Sequence, residues 1–139
     1  MSESGDRPAG TGGCLCGAVR YRVDGPLRSI IACHCGQCRR MSGHHTAATA
    51  AARGDLEIDS SGALAWYESS PGVRRGFCQT CGSSLFWDTE TRDYVAIFAG
   101  SLDSPTGLKL VQHIHTADKG DYYEIADGLP ALPGWMAEG

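Results

Sequence analysis

Seven cysteines constrain this chain more than any other feature, because they fall in three tight groups: Cys14-x-Cys16, Cys33-x-Cys35-x-x-Cys38 and Cys78-x-x-Cys81. Such spacings bring several sulfurs to one point, which suits a metal ion with tetrahedral thiolate ligation. Gly17 and Gly82 follow the second cysteine of the outer pairs. A glycine there lets the backbone curl so that its N–H groups point at sulfur, as in a zinc knuckle. Cys38 is followed instead by Arg39-Arg40, so the middle group is built differently. The two outer pairs supply four ligands, Cys14, Cys16, Cys78 and Cys81, which is one closed structural site. Cys33, Cys35 and Cys38 are left to converge on a second ion with one position open, the arrangement of a catalytic centre. Three other readings remain open: buried thiols without metal, one shared site with stray thiols, and a redox pair at Cys35 and Cys38. The redox pair normally sits in a βαβ pattern, which this sequence lacks.

Residues 1–13 are polar and Gly-rich, with no apolar stretch to act as a secretory signal. The expected location is therefore the cytoplasm, where thiols stay reduced or bind metal. The domain expectation is a disordered tail over residues 1–10, a folded domain over 11–132 and an irregular tail over 133–139. A net charge of −4 and no Lys/Arg block longer than two argue against a nucleic-acid partner. No apolar run reaches the ~18 residues of a membrane span. A small-molecule partner is expected, and the oligomeric state is open.

Glycine, at 19 of 139 residues, is about twice its usual ~7%, which favours a turn-rich β protein over a bundle. Val19, Tyr21 and Val23 alternate with polar residues and predict a strand closed by the Asp24-Gly25-Pro26 turn. Further strands are predicted over 27–32, 46–52, 56–59, 63–68, 74–78, 84–88, 94–98 and 110–114. A helical turn is predicted over 37–41, and 122–125 is a short apolar piece with the option of another. Many short strands at regular spacing predict an antiparallel all-β domain with little helix.

Several of these stretches together resemble one family. Gly13-Cys14-x-Cys16-Gly17-x-Val19-x-Tyr21 is followed by Cys33-His34-Cys35-x-x-Cys38-Arg39-Arg40-x-Ser42-Gly43. Arg75-Gly76-Phe77-Cys78-x-x-Cys81-Gly82-Ser83-x-Leu85, Gly100-Ser101-Leu102-Asp103 and His113-Ile114 complete the series. Over about residues 11 to 130 the chain resembles the glutathione-dependent formaldehyde-activating enzymes. The resemblance implies the β-tent fold shared with the centromere protein V group, short antiparallel strands stapled by zinc. It also implies two zinc ions, one structural on Cys14, Cys16, Cys78 and Cys81 and one catalytic on Cys33, Cys35 and Cys38. The implied chemistry is carbon–sulfur lyase chemistry joining formaldehyde to the thiol of glutathione as S-hydroxymethylglutathione, or the reverse. A catalytically silent zinc-stabilised binding module of the same fold is the alternative.

The chain departs from the family after Ser42-Gly43, where His44-His45 replace a small or apolar residue and an aromatic one. His44 and His45 are candidates for a general base, a proton relay or a fourth ligand at the open centre. Arg39 and Arg40 are candidates to hold a substrate carboxylate, because Arg binds carboxylates bidentately. His113 is a candidate substrate contact, and His115, two residues on along a predicted strand, is expected to share its face. His34 reads equally as a turn residue. Trp66, Tyr67, Phe86 and Trp87 are read as core.

Overall fold

The computed structural model describes residues 10–60 and 62–135. Of the tail assigned to residues 1–10, residues 1–9 lie outside them, and its last residue, Gly10, belongs to a strand. Two sheets form the domain. The smaller is antiparallel, with β1 (Gly10–Gly13), β2 (Arg20–Val23) and β5 (Leu56–Asp59) in that order. The larger contains β3 (Ile30–Cys33), β4 (Thr46–Ala52), β6 (Leu64–Ser70), β7 (Val73–Cys78), β8 (Ser84–Thr89), β9 (Tyr94–Phe98) and β10 (Leu110–Ile114). Its order is β10-β3-β4-β9-β8-β7-β6. One short helix, α1 (Gly36–Ser42), follows β3. The all-β architecture expected from the spacing of short apolar runs is therefore the one observed.

One pair departs from the antiparallel expectation: β10 runs parallel to β3. Strand β9 already runs parallel to β3, since both are antiparallel to the intervening β4. A hairpin cannot join two parallel strands, so residues 99–109 form a crossover. That crossover packs against the small sheet. Leu102 is buried and bridges Gly12, Ser101 Oγ lies 2.6 Å from the Tyr21 hydroxyl, and Asp103 accepts from Thr11 and pairs with Arg20 at 2.6 Å. The Gly100-Ser101-Leu102-Asp103 motif thus fixes the return path of the chain.

Strand alternation divides the buried side chains between two faces. Val19, Tyr21 and Val23 pack from the small sheet onto Ala51, Phe86, Val95 and Ile97 of the large one, and this layer is the core. Arg20 and Arg22 alternate outward. The opposite face of the large sheet carries Arg75, Trp87 and Ala96, which are in register across β7, β8 and β9, with Ala50 next in line on β4. Residues 122–125 are irregular chain with no helical turn.

The Gly-rich start of the domain folds as β1 because the chain there leaves no room for side chains. A Cβ on Gly12 would lie 2.4 Å from the Ser101 carbonyl oxygen and 2.3 Å from the Tyr21 hydroxyl. Because one of these neighbours is backbone, Gly12→Ala should lower the unfolding free energy by roughly 1–3 kcal/mol, the usual effect of overpacking. Urea denaturation checks this; an unchanged midpoint would show that β1 does not approach the crossover this closely.

Candidate metal centres and the adjoining cavity

The four outer cysteines meet where the two sheets join. Cys14 and Cys16 lie between β1 and β2, Cys78 ends β7, and Cys81 lies in the turn to β8. Their sulfurs are all within 4.8 Å of one another, with Cys14–Cys16 at 3.7 Å and Cys16–Cys78 at 3.8 Å. Four sulfurs placed tetrahedrally at ~2.3 Å from zinc would be about 3.8 Å apart. Gly17 and Gly82 adopt left-handed φ values of 86° and 83°, the curl expected of knuckle glycines. The Val19 N–H points at Cys14 Sγ at 3.3 Å. The Ser83 hydroxyl, 3.2 Å from Cys81 Sγ, and the Ser83 backbone N–H pull the Cys81 thiol down to about 5.

Cys33, Cys35 and Cys38 form the second group, also within 4.8 Å of one another. Cys33 closes β3, Cys35 is the N-cap of α1, and Cys38 lies in its first turn, where its N–H donates to Cys35 Sγ at 3.3 Å. Gly43 ends the helix in the left-handed conformation, with its N–H on the Arg39 carbonyl. Hydrogen bonds from the thiols of Cys33 and Cys38 hold the Cys35 thiol far below its ordinary value, while the same contacts push Cys33 up. A divalent ion would favour all three as thiolates. Among the described residues no fourth His, Cys, Asp or Glu joins this group. Both groups have the donors and spacing to hold a metal ion, and all-sulfur ligation fits zinc.

The three-thiol group opens onto a cavity of ≈ 230 Å³ on the face of the large sheet turned away from the core. Ile31, Val73, Trp87, Tyr94, Phe98 and Trp135 form much of its wall, and Ala48 and Ala96 its floor. Arg75 stands beside the thiols, 4% exposed, with Nη2 3.6 Å from Cys38 Sγ and 3.3 Å from Gln37 Oε1. Sequence reasoning passed over Arg75, although it opens the Arg75-Gly76-Phe77-Cys78 stretch; its alternation with Arg74 was the available signal. Trp87 belongs to the cavity wall and not to the core. Trp135, in the stretch assigned to the irregular tail, closes the cavity and lies 5.7 Å from the His115 ring.

The other sequence candidates lie elsewhere. Arg39 Nε donates to the Asp118 carbonyl, Arg40 is exposed, and neither lines the cavity. His44, His45 and His113 do not line it either. They surround His34 on the side of β3 and β10 opposite Cys33 and Ile114. His45 and His44 follow one another at 4.6 and 4.5 Å between ring centres, and His44 Nδ1 is 2.7 Å from the Tyr122 hydroxyl. His115 does not share the face of His113. Its φ of 57° breaks the alternation and turns it to the cavity.

His34, as readily a functional residue as a turn residue on sequence, is the centre of a hydrogen-bonded chain. Its Nδ1 is 2.9 Å from the Tyr123 hydroxyl and its Nε2 2.9 Å from His113 Nδ1, while His113 Nε2 is 2.8 Å from Asp127 Oδ2. Asp127 is held below the usual carboxylate range by the Leu129 N–H and by His113, so it accepts. With both rings neutral, His113 therefore donates through Nε2 and accepts through Nδ1. His34 then donates through Nε2 and accepts from Tyr123 through Nδ1. Every ring nitrogen is satisfied, and the residue between Cys33 and Cys35 is clamped.

These observations define a class, an all-β domain with one four-thiol and one three-thiol centre beside an apolar cavity. The family model for the glutathione-dependent formaldehyde-activating enzymes matches residues 9–118, and the chain belongs to that family. It is 33% identical over 127 residues to a curated Halomonas elongata protein named "Putative glutathione-dependent formaldehyde-activating enzyme", covering 82% of this chain and 79% of the relative. A crystal structure of a Rhodobacter sphaeroides protein matches with a TM-score of 0.58 at 25% identity, over 68% of this chain and 88% of the other. No helix among the described residues is long and apolar enough to cross a membrane.

Burial, then the neighbouring charges of His45, His113, His44 and Lys119, lower the His34 pKa from 6.5 to about 4. Between those values the unfolded chain binds a proton that the folded one refuses, so stability falls as pH drops through this window. Denaturant unfolding across pH 4–6.5 should show this slope in the wild type and a shallower one in His34→Gln. Equal slopes would exclude His34 as its source.

Proposed function

We propose that this protein is a zinc-dependent carbon–sulfur lyase acting on a thiol adduct, with S-hydroxymethylglutathione as the product or substrate. The observation that carries the reading is the convergence of three thiols, without a fourth side-chain ligand among the described residues, at the mouth of a cavity. Family membership supports glutathione and formaldehyde as the reactants. Cys14, Cys16, Cys78 and Cys81 are the ligands of a structural zinc ion, and Cys33, Cys35 and Cys38 those of a second. A zinc ion there would favour the thiolate form of a substrate thiol and orient its sulfur. In the forward direction that sulfur adds to the formaldehyde carbon, a carbon–sulfur bond forms, and the proton lost by the thiol ends on the new hydroxyl.

The chain's own residues shape the site for this. The clamp on His34 fixes the turn between Cys33 and Cys35. Arg75, bonded to Cys38 Sγ, places a positive charge beside three anionic donors. The apolar walls keep bulk water from the sulfur. His44 and His45, candidates for a general base, a proton relay or a fourth ligand, pack against His34 and Tyr122 and do not line the cavity.

Exchange NMR of formaldehyde with glutathione, with and without protein, tests the activity against the spontaneous reaction. A protein-dependent rise in exchange rate is expected, and its absence would overturn the reading. Zinc analysis should find two ions per chain. Cys35→Ser should lose one and the rate enhancement while keeping the β-sheet circular dichroism, whereas Cys81→Ser should unfold. Equal unfolding of both variants would contradict the division into open and closed centres.

A further inference from the structure

The chemistry of the cavity wall says more about its ligand than the sulfur site does. Formaldehyde is small and polar and gains nothing from Trp87, Tyr94, Phe98 and Trp135. At ≈ 230 Å³ the space is below the ~300–1,000 Å³ of pockets for drug-sized molecules, so it fits a small ligand with an apolar or aromatic body. Among the described residues its lining holds Arg28 and Arg75 and no aspartate or glutamate.

Arg75 is the informative member. A guanidinium this deeply buried is normally paired with an anion, because desolvating a lone charge is unfavourable. Among the described residues none of its contacts is a carboxylate. Nε is 3.3 Å from Ser69 Oγ, and Nη2 is 3.3 Å from Gln37 Oε1 and 3.6 Å from Cys38 Sγ. The two bonds to oxygen are slightly longer than the usual 2.7–3.2 Å of N–H···O bonds. Nη1 is buried and has no hydrogen-bond partner among the described residues. Gln37 and Cys38 therefore take the N–H groups of Nη2, and those of Nη1 are left for a group that the described residues do not supply.

We infer that the cavity binds a small carboxylate with an apolar or aromatic body, its carboxylate on the guanidinium of Arg75 and its carbon body against Trp87, Tyr94, Phe98 and Trp135. A carboxylate would take charge-assisted bonds from the N–H groups of Nη1, which a turn of the buried side chain brings to the cavity. The inference rests on the proposed function only in placing a ligand's sulfur, where it has one, at the three-thiol centre. The carboxylate subsite stands on the cavity alone. It also moves anion recognition from Arg39 and Arg40, which face away, to Arg75.

The test uses the full zinc-loaded chain and sulfur-free probes. Fluorescence of the tryptophans, of which Trp87 and Trp135 line the cavity, reports the binding of 3-phenylpropionate and of its uncharged amide. The acid should bind at least ~10-fold more tightly, the scale of one charge-assisted hydrogen bond. Arg75→Gln should abolish that difference, and Ala96→Leu, which fills the floor, should weaken both probes. Equal binding of acid and amide by the wild type, or no binding of either, would overturn the inference without any need for the Arg75→Gln variant to fold. A cobalt-substituted sample given 2-phenylethanethiol separates the two readings. A changed thiolate charge-transfer band supports a ligand sulfur at the three-thiol centre. An unchanged band, with the acid still preferred, removes the sulfur chemistry and leaves the carboxylate subsite.

Discussion

The meeting of Cys14, Cys16, Cys78 and Cys81 is the constraint on which the rest of the structure depends. The small sheet and the large one are joined through loops far apart in sequence, and the core between them is a single layer built by Val19, Tyr21, Val23, Phe86 and Ile97. Domains of this size bury only about two thirds of the surface their unfolded chains expose, so a crosslink at one end carries unusual weight. Two of the four sulfurs, those of Cys14 and Cys78, belong to buried residues of that same core. The sulfur cluster and the apolar layer are therefore one packing unit, and losing either exposes the other.

From that anchored end, β-strand alternation sorts the chemistry. Ile31 and Cys33 of β3 and Ile114 of β10 line the cavity, while His34 and His113 look the other way. The consequence is a division of labour across the sheet. One face offers thiols and an apolar space, and the other holds a hydrogen-bonded chain of imidazoles ending on Asp127. The hydrogen-bonded chain clamps His34. It satisfies each polar atom around a residue that must be buried because its two neighbours are metal-ligand candidates.

Much of this was legible in the sequence, for reasons that differ from element to element. The period-2 pattern of Val19, Tyr21 and Val23 and the apolar runs of β9 and β10 report burial directly, and cysteine spacing reports convergence. What the sequence hid were relations between distant segments. Nothing local to Gly10–Gly13 says that Tyr21 and Ser101 close over Gly12, so the first strand reads as tail. His44 and His45 follow Ser42-Gly43 closely and read as neighbours of the thiols, but the backbone turns them behind β3. Trp135 reads as terminal because only the fold brings it over His115. The parallel β10 was equally hidden, since pairing direction follows from the 99–109 crossover and not from side-chain pattern.

The alanine run of β4 shows how one sequence feature serves both faces. Residues 46–52 read Thr-Ala-Ala-Thr-Ala-Ala-Ala, a composition that suits helix on propensity alone. Tertiary pairing with β3 and β9 overrides that preference. Ala51 then faces the core, where Val95 and Ile97 supply the bulk, while Ala48 faces the cavity and supplies none. Larger residues at Ala48 and Ala96 would occupy the space beside the three thiols. Arg75, Trp87 and Ala96 lie in one register row across β7, β8 and β9, with the charge next to the sulfurs and the small residue toward β4. The floor is thus shaped by what is missing from its side chains, and the polarity of the site by the single buried cation at its edge.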